Sequence, residues 1–225
     1  MPILHMGNKN YSSWSIRPWF FLTEAAIPFE ARVLYMDEAS FGADVAKVSP
    51  SRRVPALELE DGDIVWDTLA IGETLAELHP EAGVWPSDPH ARRRARSACA
   101  EMHSSFGEMR RVLTCNARRR YPAEAWRKFA GGADGEAGVV ADLARLHELW
   151  TTLLETNGGP FLGGARFGWV DAFFAPVVSR LKTYAIESPA SAAAYRARIE
   201  ALGAWKRWMS EAEAETHVIA KYEYG

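Results

Sequence analysis

The chain has 225 residues, with 26 Lys and Arg against 29 Asp and Glu and a formal net charge of -3; that balance gives no general pull toward nucleic acid or an acidic membrane surface. Its 48% apolar and 24% charged residues are ordinary for a soluble globular protein that buries one large core or two modest ones. No apolar run approaches the ~20 residues of a membrane-spanning helix, and Met1 to Gly7 lacks the basic and apolar regions of a secretory leader, so a cytoplasmic location is expected.

Ile3 to Met6 reads as a short buried strand. A helix from about Ser15 to Ala26 follows, and Ile27-Pro28 ends it because the residue before proline disfavours the helical region. Phe29 to Tyr35 alternates as a strand does, and Asp37 to Val48 reads as a short, loose helix. Two apolar runs, Ala56 to Glu60 and Ile64 to Trp66, flank Asp61-Gly62 and predict a hairpin. Asp67-Thr68 then caps a helix that stops at His79-Pro80. The order strand, helix, strand, helix, hairpin, helix predicts a mixed four-stranded sheet with helices packed on it.

Residues 81–87 read as a linker, and everything beyond them as helical. Asp88-Pro89 opens a long helix carrying Ala95, Ala98, Met102, Phe106, Met109 and Leu113 at helical spacing. Gly131 to Gly138 reads as a flexible connector without the Gly-Lys-Ser/Thr ending of a phosphate-binding loop. Later helices carry Val140, Leu143, Leu146, Trp150 and Leu153, then Trp169 through Tyr184, then Tyr195 through Met209. The expected architecture is therefore a mixed α/β domain over residues 1–80 and an all-helical domain over 88–225.

Three stretches of the first domain carry chemistry. In Tyr11-Ser12-Ser13-Trp14-Ser15-Ile16-Arg17-Pro18, hydroxyl residues sit at a helix start, where they either cap the first turn or face an anion. Val54-Pro55, just before the hairpin, is a plausible cis proline, and it would leave the Val54 backbone free to pair with an extended peptide. Asp67 and Thr68 offer an acceptor, a donor and a helix N-terminus for a free amino-acid end, while Arg52 and Arg53 could reach a carboxylate. Together they describe a site for a small zwitterionic peptide. The six histidines share no metal-ligand spacing and no metal is expected. Cys99 and Cys115, the only cysteines, form no C-x-x-C pair and are expected to be reduced. The runs Arg92 to Arg94 and Arg118 to Arg120 read as solvated faces or ion pairs.

The order Tyr11-Ser12-Ser13-Trp14-Ser15-Ile16-Arg17, Arg53-Val54-Pro55-Ala56-Leu57, Asp67-Thr68-Leu69-Ala70-Ile71 resembles the N-terminal domain of cytosolic glutathione S-transferases. Phe161-Leu162-Gly163 and Val170-Asp171-Ala172-Phe173-Phe174-Ala175-Pro176 look like that family's helical domain. The resemblance implies a thioredoxin-like glutathione-binding domain, a helical domain shaping the pocket of a hydrophobic electrophile, and a homodimer. The turn looks most like the serine-type zeta class. Matching it places the family's catalytic serine on Ser12, a donor to the glutathione sulfur, with Ser13 and Tyr11 as fallbacks. Val54 would pair with the cysteinyl backbone, Pro55 would hold Val54 in place, Asp67 and Thr68 would hold the γ-glutamyl end, and Arg53 the glycyl end. Trp14, Met102, Phe106 and Met109 are candidates for the electrophile pocket, although helical spacing alone puts the last three in the core.

Two departures matter. Zeta enzymes carry cysteine where Trp14 stands, which counts against their isomerase chemistry and against thiol–disulfide exchange. Gly168 stands where a Ser or Thr would complete a capping box with Asp171, so a weaker cap is expected there. The expected activity is a glutathione S-transferase of the detoxification type. The alternatives are a glutathione-dependent isomerase or dehalogenase, or a non-catalytic binding protein of the same fold.

Overall fold

The computed structural model describes residues 1–224. Four strands, β1 (Ile3–Met6), β2 (Glu30–Val33), β3 (Ala56–Glu58) and β4 (Ile64–Val65), form one sheet in the order β2-β1-β3-β4. β1 runs parallel to β2 and antiparallel to β3, with Leu4 opposite both Ala31 and Leu57. β3 and β4 pair antiparallel as the predicted hairpin. The helices of this half are α1 (Ile16–Glu24), α2 (Phe41–Val48) and α3 (Thr68–Leu78). The mixed sheet and the alternation of strands and helices are those read from the sequence.

Six helices follow: α4 (Pro89–Ser104), α5 (Gly107–Val112), α6 (Ala133–Thr156), α7 (Trp169–Thr183), α8 (Ala190–Ala201) and α9 (Gly203–Ala214). Among the described residues, no helix is long and apolar enough to cross a membrane. α1 is buried from Ile16 to Leu22. It packs on α3 of its own half and on α7 and α9 of the other, so it needs apolar side chains all round rather than a single stripe. Trp19 meets Trp208, and Phe21 meets Trp169, edge to face across that contact. Gly72 of α3 is part of the same seam, because a Cβ there would stand 2.5 Å from the Trp169 ring.

Three expectations for the helical half are corrected. The long helix after Asp88 is two helices, broken where Phe106 takes a left-handed backbone (φ 62°). Ser104-Ser105 supplies poor helix formers there, and Arg110 donates to the carbonyls of Met102 and Ser105 that the break leaves free. The stretch 131–138 is not a connector, because α6 begins at Ala133 and takes up Gly135 and Gly138. Both glycines allow close approach, since a Cβ at Gly135 would lie 2.8 Å from Arg111 Nη2 and one at Gly138 would lie 2.6 Å from Glu108 Cγ. In that same helix Val140, expected on the apolar face, is exposed, and Val139 is in the core. Finally, the last predicted helix divides at Leu202, whose extended backbone (φ -63°, ψ 145°) separates α8 from α9.

Asp171 lies in the first turn of α7 and is fully buried. Its carboxylate accepts from the Gly168 amide at 2.9 Å and from the Leu162 amide at 2.9 Å. With glycine at 168 no hydroxyl can answer the Asp171 amide, so half of the reciprocal pair is missing, as expected. The second bond does what the sequence did not reveal: it ties the 162–168 loop to the helix.

Candidate active site

The Ser-rich turn, the Val54-Pro55 corner and the α3 cap come together at one end of the sheet. Gly7, just past β1, lies between the first two: a Cβ there would be 3.2 Å from Ser12 Cβ and 3.2 Å from Val54 Cγ2. A side chain at that position would push the turn and the corner apart by a few tenths of an ångström. The third element joins through His103 of α4, whose ring packs edge-on against Trp14 and whose Nε2 lies 3.4 Å from Asp67 Oδ2.

The Val54-Pro55 peptide is cis, as expected. β3 starts only at Ala56, and among the described residues neither the amide nor the carbonyl of Val54 has a backbone partner. Arg53 is exposed beside it. Asp67 caps α3, accepting from the Leu69 amide at 3.0 Å through Oδ1, which leaves Oδ2 toward His103. The Thr68 hydroxyl is fully buried and has no partner among the described residues. Such a group is uncommon, because an unpaired buried hydroxyl forfeits its water.

The serines do not cap α1. Ser15 occupies the cap position with a helical backbone and no capping bond; its Oγ accepts instead from the Gly7 amide at 3.0 Å. Ser12 is buried, donating to Ser15 Oγ at 2.7 Å and accepting from the Ser15 amide at 3.3 Å. Ser13 is half-buried, and among the described residues its hydroxyl has no bond. Tyr11, the other fallback, has its hydroxyl turned away: it donates to Glu223 near the C-terminus and accepts from Arg118 Nη2 at 3.0 Å. Burial and the Glu223 carboxylate both push the Tyr11 phenol upward. That removes Tyr11 as a free donor to a thiolate.

Met102, Phe106 and Met109 are core side chains, 1%, 3% and 0% exposed. Their expected place in an electrophile pocket is corrected: Met102 of α4, Met109 of α5 and Phe106 at the break between them all lie in the hydrophobic core. Trp14 is half-buried, and it does stand at the site.

Arg17 was not anticipated. It is 1% exposed, with its guanidinium between the Trp14 and Phe173 rings, 3.9 Å from each centroid. Among the described residues, its Nε and Nη1 have no hydrogen-bond partner. Arg110, 5.1 Å from the Trp14 ring, is a neighbour. Burial first, then the charges of Arg110 and Arg180, press the Arg17 guanidinium well below its ordinary range. A buried cation without a carboxylate costs stability, and two aromatic faces offset only part of that cost. Arg17→Met is therefore expected to leave the unfolding midpoint unchanged or raise it by a few degrees, on the order of 1 kcal/mol. Thermal unfolding checks this, and a midpoint several degrees lower would mean that the ring sandwich outweighs the burial cost.

The fold and this site define a class: a thioredoxin-like α/β domain with a cis proline facing a hydroxyl-rich helix start, joined to a helical bundle. Residues 11–78 match the family model described as glutathione S-transferase, N-terminal domain. That match spans the sheet-forming half of the chain, from the Ser-rich turn to the end of α3.

Among curated proteins it is similar to a probable maleylacetoacetate isomerase of Caenorhabditis elegans, 29% identical over 96 residues, which are 43% of this chain and 44% of that one. A maleylacetoacetate isomerase of Dictyostelium discoideum is 30% identical over 95 residues, 42% of this chain and 43% of that one. The chain thus matches less than half the length of these curated relatives. Solved structures share the fold over nearly all of it. A glutathione transferase of Methylococcus capsulatus superposes with a TM-score of 0.69 at 23% identity, covering 96% of this chain and 100% of that one. A Sulfitobacter glutathione transferase homologue with bound glutathione gives 0.70 at 22% identity, covering 94% and 98%. The Tau-class transferase of mango gives 0.72 at 20% identity, covering 95% and 96%.

Proposed function

We propose that the protein is a glutathione S-transferase that holds glutathione at this site and presents its sulfur as a thiolate to a second, electrophilic substrate. The observation that carries this reading is the convergence of Ser12, Val54 and Asp67 around Gly7 and His103. Val54 has free backbone groups for the cysteinyl residue. Asp67 Oδ2 and the N-terminus of α3 suit the ammonium and carboxylate of the γ-glutamyl end, with Thr68 beside them. Arg53 suits the glycyl carboxylate.

Ser12 is the donor to sulfur. Hydroxyl protons rotate freely, so Ser12 can turn its proton to the thiolate while Ser15, already held by the Gly7 amide, donates to Ser12 Oγ in its place. The chain from Gly7 N–H through Ser15 to Ser12 then polarises in one direction and strengthens the last bond. Arg17 adds a positive charge in the same turn, which favours the anion. Ser13, with its unengaged hydroxyl, is the second candidate for the same role. In this reading the protein works as a cytoplasmic homodimer, with residues 81–87 joining the glutathione-binding domain to the helical one.

The test is retention on immobilised glutathione, followed by conjugation to a generic aryl halide. Retention with turnover is the expected result; absence of binding overturns the proposal. A glutathione-dependent isomerase is the second reading, favoured by the names of the two curated relatives. An isomerase returns its glutathione, so free thiol stays constant during turnover, whereas a transferase consumes one thiol per product.

A further inference from the structure

The last ten described residues, Glu215 to Tyr224, run back across the turn that carries Ser12. The Glu215 carboxylate accepts from the Lys9 amide at 2.8 Å and from Asn8 Nδ2 at 3.2 Å. Asn8 is fully buried, and its carbonyl accepts from the Ser12 amide at 2.8 Å. One residue therefore links the tail to Ser12. At the other end, Glu223 accepts from the Tyr11 hydroxyl, from Asn116 Nδ2 at 3.0 Å and from Arg119 Nε at 2.6 Å. Arg118 closes the frame, donating to the Glu215 and His217 carbonyls and to Tyr11. The His217 ring stacks on Tyr35, with centroids 3.7 Å apart, and its Nδ1 lies 2.9 Å from Asp37.

Residues 8–14 belong to neither β1 nor α1. Such a segment stays ordered only where outside contacts offset its conformational entropy. The carboxylates of Glu215 and Glu223 provide those contacts from more than two hundred residues away. Burial alone would raise the Glu223 carboxyl, but bonds from Tyr11, Arg119 and Asn116 outweigh it and hold it below its usual range. It is an anchored anion rather than a loose terminal side chain.

We propose that Glu215–Tyr224 is a positioning strap for the thiol site: Glu215 and Glu223 set the place of Ser12, and through it the acidity of the bound thiol. The inference rests on the proposed function for its chemistry, but not for the contact itself. The full chain is compared with Glu223→Gln, Glu215→Gln and a truncation after Ala214. Amide exchange at residues 9–12 is expected to quicken about tenfold or more in the truncation, with that of α7 unchanged. Glu223→Gln is expected to lie between, since its amide oxygen still accepts from Tyr11.

Thiolate absorbance of bound glutathione, followed against pH, is expected to shift upward by about one unit in the truncation. kcat near neutral pH then falls about tenfold while KM for glutathione moves less than about threefold, because Val54 and Asp67 lie outside the strap's contacts. Unchanged exchange at residues 9–12 overturns the proposal. Faster exchange with an unmoved thiol titration also overturns it, leaving the strap a purely structural element. If the wild-type chain binds no glutathione, the part concerning acidity falls with the proposed function, and exchange alone decides whether the strap holds the turn.

Discussion

Ser12→Ala is expected to raise the pKa of the glutathione thiol in the binary complex by about one to two units, roughly 1.5–3 kcal/mol. The expectation follows from what the anion needs. A free cysteinyl thiol with a pKa of about 8.5 is only a few per cent ionised at neutral pH. To make thiolate the majority takes a drop of about two units, or about 2.7 kcal/mol. A hydrogen bond to a charged acceptor contributes about 1.5–3 kcal/mol, and a helix N-terminus about 0.3–1. One serine at the start of α1 therefore accounts for most of the requirement, without a general base.

The variant removes that bond and leaves Val54, Asp67 and Arg53 in place, so glutathione affinity is expected to change little. kcat/KM near neutral pH is expected to fall about ten- to hundredfold, with the loss recovering at higher pH as the unassisted thiol ionises. Titration of thiolate absorbance in the complex is the direct measurement. If it is unmoved, the donor is not Ser12, and the same titration of Ser13→Ala decides whether the neighbouring free hydroxyl holds the role. Tyr11 is already committed to Glu223 and Arg118.

How far the sequence anticipated this site depends on the range of the interactions involved. The strands, the hairpin and the Asp67 cap follow from period and turn chemistry within ten residues, and all are present. The juxtaposition of Ser12, Val54 and Asp67 was legible only as three motifs in the right order. The residues that hold them together, Gly7 and His103, gave no local signal. Gly135 and Gly138 looked like a connector because their reason for being glycine lies on α5 and in the preceding turn, not on α6. Phe106 was read as a helical core position because its neighbours keep that period, yet its own backbone breaks the helix. Arg17 is charged, which says surface, whereas its actual neighbours are two aromatic rings brought from the same turn and from α7. The bond between Glu223 and Tyr11 spans 212 positions. No pattern read along the chain could pair them.

Asp171→Ala is expected to be among the most destabilising single substitutions. It leaves the buried Leu162 and Gly168 amides without an acceptor. Each unsatisfied group costs about 1–3 kcal/mol, so the two together cost about 2–6 kcal/mol. At about 2–4 °C per kcal/mol for a chain of this size, the unfolding midpoint is expected to drop by roughly 4–24 °C. The loss also has a direction in pH. Burial, only partly countered by the two amides, pushes the Asp171 carboxyl up to about 7, whereas an unfolded aspartate ionises near a pH of about 3.9. Between those values the folded chain holds the proton and the unfolded chain does not. The native state then binds more protons, and stability contributed by Asp171 declines as pH rises across the window. Denaturant unfolding of wild type and Asp171→Ala at about pH 5.5 and pH 8 should therefore give a gap that narrows toward the higher pH. A gap that stays the same at both pH values would mean that the two amide bonds, shorter and stronger to a charged acceptor, outweigh desolvation and keep the carboxylate ionised inside the fold.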